Sequence, residues 1–234
     1  MAEEKLFDEW PERYEAWFAT PIGRLVRQVE GDVVFEFLQV APGDCLLDAG
    51  CGTAVFTTDF IRSGACVVGV DISRPMLKTA IGKTTGSPFA PVQADMRRLP
   101  FNDNCFDKSV SITAIEFIGD AGKAVDELFR VTKPGGYVVV ATLNSLSPWA
   151  ERRKAKSIRG QGHILENAYY RSPDDLLAFR PQSGTVRTAV HFLKDDDPKL
   201  ATEIEDVGRA KRFTTGAFVA VRWQKPNPGS DSNS

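Results

Sequence analysis

This chain of 234 residues has little of what builds metal centres or disulfide frameworks. Its four cysteines (Cys45, Cys51, Cys66 and Cys105) are scattered without a C-x-x-C spacing, and there are only two histidines. That excludes a stapled scaffold, leaves no metal expected, and favours a reducing, cytoplasmic setting. No apolar run is long enough to span a bilayer. The opening Met1-Ala2-Glu3-Glu4-Lys5 is acidic and lacks the apolar core of a secretory signal. Lys and Arg total 29 against 31 Asp and Glu, a net charge of −2, which argues against nucleic acid as a partner. No internal repeat is visible. What remains is 42% hydrophobic and 26% charged, the balance of one soluble domain with a sizeable core, monomeric or homodimeric.

The most informative stretch is Leu46-Leu47-Asp48-Ala49-Gly50-Cys51-Gly52-Thr53-Ala54-Val55-Phe56. It reads as a buried strand ending in a glycine turn that opens a helix. Glycine carries no Cβ and accepts positive φ, so the chain bends sharply and a ligand can lie directly on its backbone. The free N–H groups of the following helix point to the same place. Turns of this kind, at the carboxyl ends of parallel strands, are where open α/β sheets bind nucleotides. A dinucleotide-binding turn needs a third glycine at position 55, where this chain has β-branched Val55.

Several further segments fall in a telling order. Cys66 to Asp71 is an apolar run closed by an acid, 21 positions beyond Gly50, where a carboxylate can accept hydrogen bonds from ribose hydroxyls. Ser73 and Pro75 then open a helix to about Lys83. Pro91 to Met96 reads as a short third strand, followed by Leu99-Pro100-Phe101; Phe106 to Thr113 reads as a fourth. A helix capped by Asp120 runs into Arg130-Val131-Thr132-Lys133-Pro134-Gly135-Gly136, a turn before the valine-rich fifth strand, Tyr137 to Thr142. Residues 185–193 and 213–223 read as two last strands with a charged helix between them.

In this order the segments resemble the class I S-adenosylmethionine (SAM)-dependent methyltransferases, of the ubiquinone/menaquinone-biosynthesis type, over residues 45 to about 223. Asp48, Gly50 and Gly52 match the first motif, D-x-G-x-G-x-G, with Ala54 where the third glycine usually stands. Asp95 and Met96 match the acid and following residue that meet the adenine in that family. The resemblance implies an α/β, Rossmann-like fold: a seven-stranded, mostly parallel sheet with an antiparallel last strand and helices on both faces. It implies SAM as cofactor, bound by Tyr14, Asp48, Gly50, Cys51, Gly52, Asp71, Ile72, Asp95, Met96 and Thr113. It implies methyl transfer to a small-molecule acceptor by in-line displacement. A nicotinamide-dependent oxidoreductase, or a protein that binds SAM without transfer, are the competing readings.

The remaining parts follow that scheme. Phe7, Trp10, Tyr14, Trp17 and Phe18 recur at steps of three and four, one face of a helix with Pro11 in its first turn. The stripe either packs on the sheet or forms a lid whose aromatic faces, Tyr14 and Trp17 first, attract a sulfonium. A second helix runs from Pro21 to the turn at Ala41-Pro42-Gly43-Asp44, so residues 1–42 read as an N-terminal helical lid. The transferase domain takes 43–224, with 143–183 as an acceptor-side cap, and 225–234 as a disordered tail. In that cap, Arg152, Arg153, Lys154, Lys156 and Arg159 form either a solvated helix face or an anion-binding rim. Methyl transfer needs a base only for some acceptors. Candidates are His163 and Glu116, then Tyr14, Tyr169 and Tyr170; none is assigned as catalytic, and His191 reads as structural. The segment after the fourth strand, Thr113-Ala114-Ile115-Glu116, is not the Pro-Pro-aromatic motif of nucleic-acid amino-methyltransferases.

Overall fold

A computed structural model describes residues 6–157, 165 and 168–227. Two helices come first, α1 (Pro11–Ala19) and α2 (Pro21–Leu38). The Thr20 hydroxyl accepts from the Gly23 N–H at 3.0 Å, and Pro21 supplies the first-turn residue that needs no donor. Gln39, in the left-handed region at φ 50°, ends α2.

The rest alternates strand and helix: β1 (Cys45–Ala49), α3 (Thr57–Arg62), β2 (Cys66–Asp71), α4 (Arg74–Lys83), β3 (Phe89–Gln93) and β4 (Phe106–Ile112). Then follow α5 (Ala121–Val131), β5 (Thr132–Leu143), α6 (Pro148–Ser157), α7 (Pro173–Leu177), β6 (Thr185–Ala189), α8 (Pro198–Ala210) and β7 (Phe218–Gln224). The seven strands form one sheet in the order β3-β2-β1-β4-β5-β7-β6. β7 runs antiparallel to both β5 and β6; the other pairs are parallel. This is the expected Rossmann-like class I architecture. The order reverses at β1 and β4, which opens a crevice beyond their carboxyl ends.

Strand periodicity sorts the core onto two faces. Leu46, Val139 and Ala141 pack with Val26, Val33 and Phe37 of α2 on one face. Leu47, Val138 and Val140 pack with Val125 and Leu128 of α5 on the other. All nine of these residues other than Val26 and Phe37 are fully buried.

Element boundaries differ from expectation where a backbone conformation intervenes. β3 ends at Gln93 rather than Met96, because the Asp95 carboxylate accepts from the Arg97 N–H at 2.8 Å and turns the chain. β6 stops at Ala189, since Val190 has φ 62°. The expected turn at Gly135-Gly136 is a bulge within β5, with a register shift opposite Phe106 and Lys108. Asp120 does not cap α5 with its side chain, which pairs instead with Lys123 at 3.0 Å. Ser172 and Asp175 do form a capping box at α7. At the expected tail, Lys225 is held: its Nζ donates to the Thr132 carbonyl and Asn104 Oδ1, both at 2.7 Å. Residues 228–234 lie outside the described residues, as do Arg159 and His163.

Candidate functional site

The turn after β1 is built by its neighbours. Gly50 (φ 80°) and Gly52 (φ 53°) both lie in the left-handed region. The N–H groups of Gly50 and Cys51 donate to the Val70 carbonyl at 2.7 and 3.0 Å, which fixes the turn against the end of β2. A Cβ on Gly50 would sit 2.3 Å from that of Ala114, so glycine is required for close passage of the chain after β4. A Cβ on Gly52 would meet nothing within 4 Å, so here the backbone itself is bare toward open space.

Asp71 closes the turn from the other side. Its Oδ2 accepts from the Gly52 N–H and its Oδ1 from the Ser73 N–H, both at 2.8 Å. Burial raises its pKa, and these backbone donors work against that rise. Asp95 faces the same space from beyond β3, clasped by Arg97 through bonds of 2.7 to 3.0 Å. Burial pushes the Asp95 carboxyl up, but Arg97 outweighs it and holds it below the usual range.

A cavity of about 110 Å³ lies over this rim, lined by Gly50, Gly52, Asp71, Ile72, Asp95, Met96, Thr113 and Tyr14 among others. Eight of the ten expected cofactor-contacting residues therefore meet there. Asp48 and Cys51 do not line it. Asp48 is buried behind the turn, where it accepts from the Thr57 hydroxyl at 2.6 Å and anchors the start of α3. Burial lifts its pKa to about 7. The Cys51 side chain points back toward Gly69, and burial drives its thiol well above the ordinary value.

A second cavity, of about 330 Å³, adjoins the first. Phe7, Tyr14, Thr113 and Phe117 line both. The rings of Phe7 and Phe117 meet edge to face at 4.7 Å, and the Thr113 hydroxyl faces the Tyr14 phenol. Burial and the nearby Glu30 and Glu116 raise the Tyr14 pKa, so its phenol stays protonated. The remaining wall carries the rings of Trp10, Trp17, Phe18 and Trp149 among aliphatic and charged side chains. The Trp149 N–H is satisfied by the Phe192 carbonyl at 2.7 Å, which leaves its face for the cavity.

Two carboxylates open into this second space. Glu116 sits on the 3-10 turn Ile115–Phe117 and accepts from the Thr142 hydroxyl at 3.0 Å. Glu30 comes from α2, a residue the sequence pattern absorbed into an ordinary helix; its only signal was a charge inside an apolar stripe. Burial pushes their pKa values up to about 7 and about 8 respectively. Arg171 and then Arg153 draw Glu116 back down, and Arg153, which lines the cavity, does so for Glu30, whereas Arg152 turns away to Asp195 at 3.3 Å. Of the other base candidates, Tyr169 is exposed, Tyr170 bonds Arg153 at 3.2 Å, and neither lines the cavity. His191 packs its ring against Gly208, as a structural residue would.

Among the described residues no group of three His, Cys, Asp or Glu could hold a metal ion, and no helix is long and apolar enough to cross a membrane.

Comparison with known proteins agrees with this geometry. Residues 47–140 match a family described as a methyltransferase domain. A demethylmenaquinone methyltransferase of Streptomyces griseus is 43% identical over 186 residues, covering 77% of this chain and 76% of that protein. A malonyl-[acyl-carrier protein] O-methyltransferase of Buchnera aphidicola is 38% identical over 119 residues, 51% of this chain and 47% of the relative. For several of the curated relatives it matches, the chain spans only about half their length. Among solved structures, a SAM-dependent methyltransferase from Thermotoga maritima superposes with a TM-score of 0.69 at 20% identity, over 95% of this chain and 99% of that one. A [4+2]-cyclase superposes with a TM-score of 0.62 at 20% identity, over 84% and 79%. At such identities these structures speak for the fold alone.

Proposed function

The chain belongs to the SAM-dependent methyltransferase family, and from that premise we propose that it transfers a methyl group from SAM to a small-molecule acceptor held in the second cavity. One observation carries the proposal: two cavities, one over a bare glycine turn and one walled by aromatics, meet at Tyr14, Thr113, Phe7 and Phe117. Family membership sets aside the nicotinamide-dependent alternative.

The residues present fit the cofactor. Gly52 offers backbone with no side chain in the way, suited to the amino-acid end. Asp71 would accept from the ribose hydroxyls with the lone pairs its two backbone donors leave free. Ile72 and Met96 supply apolar surface for the adenine, and Asp95 its polar edge. Tyr14 would present a ring face to the sulfonium. When bound, SAM supplies an electrophilic methyl on a good leaving group. The protein's task is then alignment and exclusion of water, and orienting two reactants is worth roughly 7–11 kcal/mol.

The N-terminal segment acts as the lid in this reading. Glu15 of α1 holds both the Thr53 hydroxyl beside the turn and Lys83 at the end of α4. Asp8 accepts from the Ser73 hydroxyl at 2.9 Å. The four cysteines are free thiols, which suits a cytoplasmic enzyme. Calorimetry with SAM, its demethylated product S-adenosylhomocysteine and NAD tests the cofactor assignment. Micromolar binding of the first two and none of NAD is expected; the reverse would overturn it. Release of S-adenosylhomocysteine across an acceptor panel tests transfer.

A further inference from the structure

The second cavity combines two features that conflict in the free protein. Aromatic and aliphatic side chains make up most of its wall, yet two carboxylates open into it, and both are removed from solvent: Glu30 is 6% exposed and Glu116 1%. Among the described residues no side-chain or backbone donor hydrogen-bonds the Glu30 carboxylate. Glu116 receives the Thr142 hydroxyl on Oε2, which leaves Oε1 for another donor. A buried carboxylate without partners costs several kcal/mol, and an apolar residue in its place would cost far less. The pair is therefore built for a ligand that brings donors and positive charge. The nearby internal cations are Arg171, whose guanidinium donates to the Ile115, Ile118 and Tyr169 carbonyls, and Arg153, which lines the cavity. Arg153 stacks on Trp149 and Tyr170 at 5.5 and 5.9 Å, and makes no ion pair within 4.0 Å with a carboxylate of the described residues. Arg13 and Lys194 are exposed and lie over Trp10 and Trp17, at the rim.

We propose that the acceptor is a primary or secondary amine, its ammonium seated between Glu30 and Glu116 inside the aromatic wall. The inference rests on the methyltransferase reading above. An ammonium seated there favours the ionised form of both groups and supplies the missing donors and charge, and aromatic faces attract it further. An anionic acceptor group at the same depth would meet two carboxylates; an anionic tail could reach only the rim cations. The ammonium cannot attack carbon while its lone pair is bound to a proton. Its N–H bond breaks, the electron pair stays on nitrogen, and the proton passes to the Glu30 or Glu116 carboxylate. The nitrogen pair then forms the new N–C bond to the methyl group as the S–C pair returns to sulfur. The products are the methylated ammonium and S-adenosylhomocysteine.

The test is calorimetric binding to the free protein and to its S-adenosylhomocysteine complex. The probes are n-hexylamine, 2-phenylethylamine and tryptamine, each with its matching alcohol and carboxylate. At least one amine is expected to bind at least tenfold more tightly than its matched alcohol and carboxylate. Glu30→Gln and Glu116→Gln should each erase that preference at least tenfold while alcohol binding shifts less than twofold. If Glu30→Gln does not fold, Glu116→Gln and the wild-type ranking still decide. Equal or tighter binding of alcohols or carboxylates, or amine affinity indifferent to both substitutions, overturns the proposal. Loss of SAM binding in the wild type would instead overturn the methyltransferase reading, so the two failures are separate.

Discussion

Tyr14 and Thr113 stand together at the seam between the two cavities, and Thr113 does so from a backbone held at φ 46°. A β-branched residue in the left-handed region is a genuine outlier, costing of order 1–3 kcal/mol. It lies at the carboxyl end of β4, where the cofactor and acceptor spaces join. Tyr14→Phe keeps the ring and its edge contact with Phe18 at 5.1 Å but deletes the hydroxyl at the seam. At roughly 0.5–1.5 kcal/mol for a hydrogen bond made by that hydroxyl when SAM is bound, SAM affinity should fall about two- to tenfold. Calorimetry on a variant with unchanged melting temperature measures this directly.

Asp71→Asn should do more. The carboxylate organises the Gly52 and Ser73 N–H groups at once, and it is the acceptor assigned to the ribose. Charged hydrogen bonds are worth about 1.5–3 kcal/mol. SAM should bind about 10- to 100-fold more weakly, with the far-ultraviolet dichroism of the wild type retained. Unaltered affinity would remove Asp71 from the site.

Ala54 occupies the position of the family's third glycine, fully buried and at φ 63°. Alanine tolerates that backbone at a cost of roughly 1–2 kcal/mol; a β-branched side chain does not. Ala54→Val should destabilise the protein by about 2–4 kcal/mol in urea titration, whereas Ala54→Gly should stay within about 1 kcal/mol, relief of strain offsetting the lost methyl.

Stability should fall as pH rises from 5 to 8. Glu30, Glu116 and Asp48 all have folded pKa values above their ordinary ones: about 8 against 4.5, about 7 against 4.5, and about 7 against 3.8. Each holds its proton more tightly when folded, so its stabilisation is complete below the ordinary value and lost as pH climbs through the folded one. The slope is about 1.4 kcal/mol per pH unit for each group inside its window. Arg153 limits the rise for Glu30, and Arg171 with Arg153 for Glu116; the Tyr14 phenol stays neutral throughout, and Asp71 adds to the rise of Asp48. Between pH 7 and 8 only Glu30 remains in transit, so Glu30→Gln should flatten that part of a melting-temperature profile and leave the limb below pH 6.5 sloping.

The local rules of the chain determined most of the frame. The valine run of β5, the Gly50-x-Gly52 turn, the acids closing β2 and following β3, and the Ser73 cap act over a few residues, so they are legible one stretch at a time. Their order brought eight expected residues to one rim. Only the tertiary structure decided which carboxylates face a ligand. Asp48, inside the motif, is turned to Thr57 behind the bend, while Glu30, inside an ordinary helix, is carried across the sheet to stand with Glu116. Neither outcome is written in spacing, because the walls of a cavity are set by how α1, α2 and the segments after β4 and β5 pack together. Burial there, not residue type, fixes whether a carboxyl holds its proton.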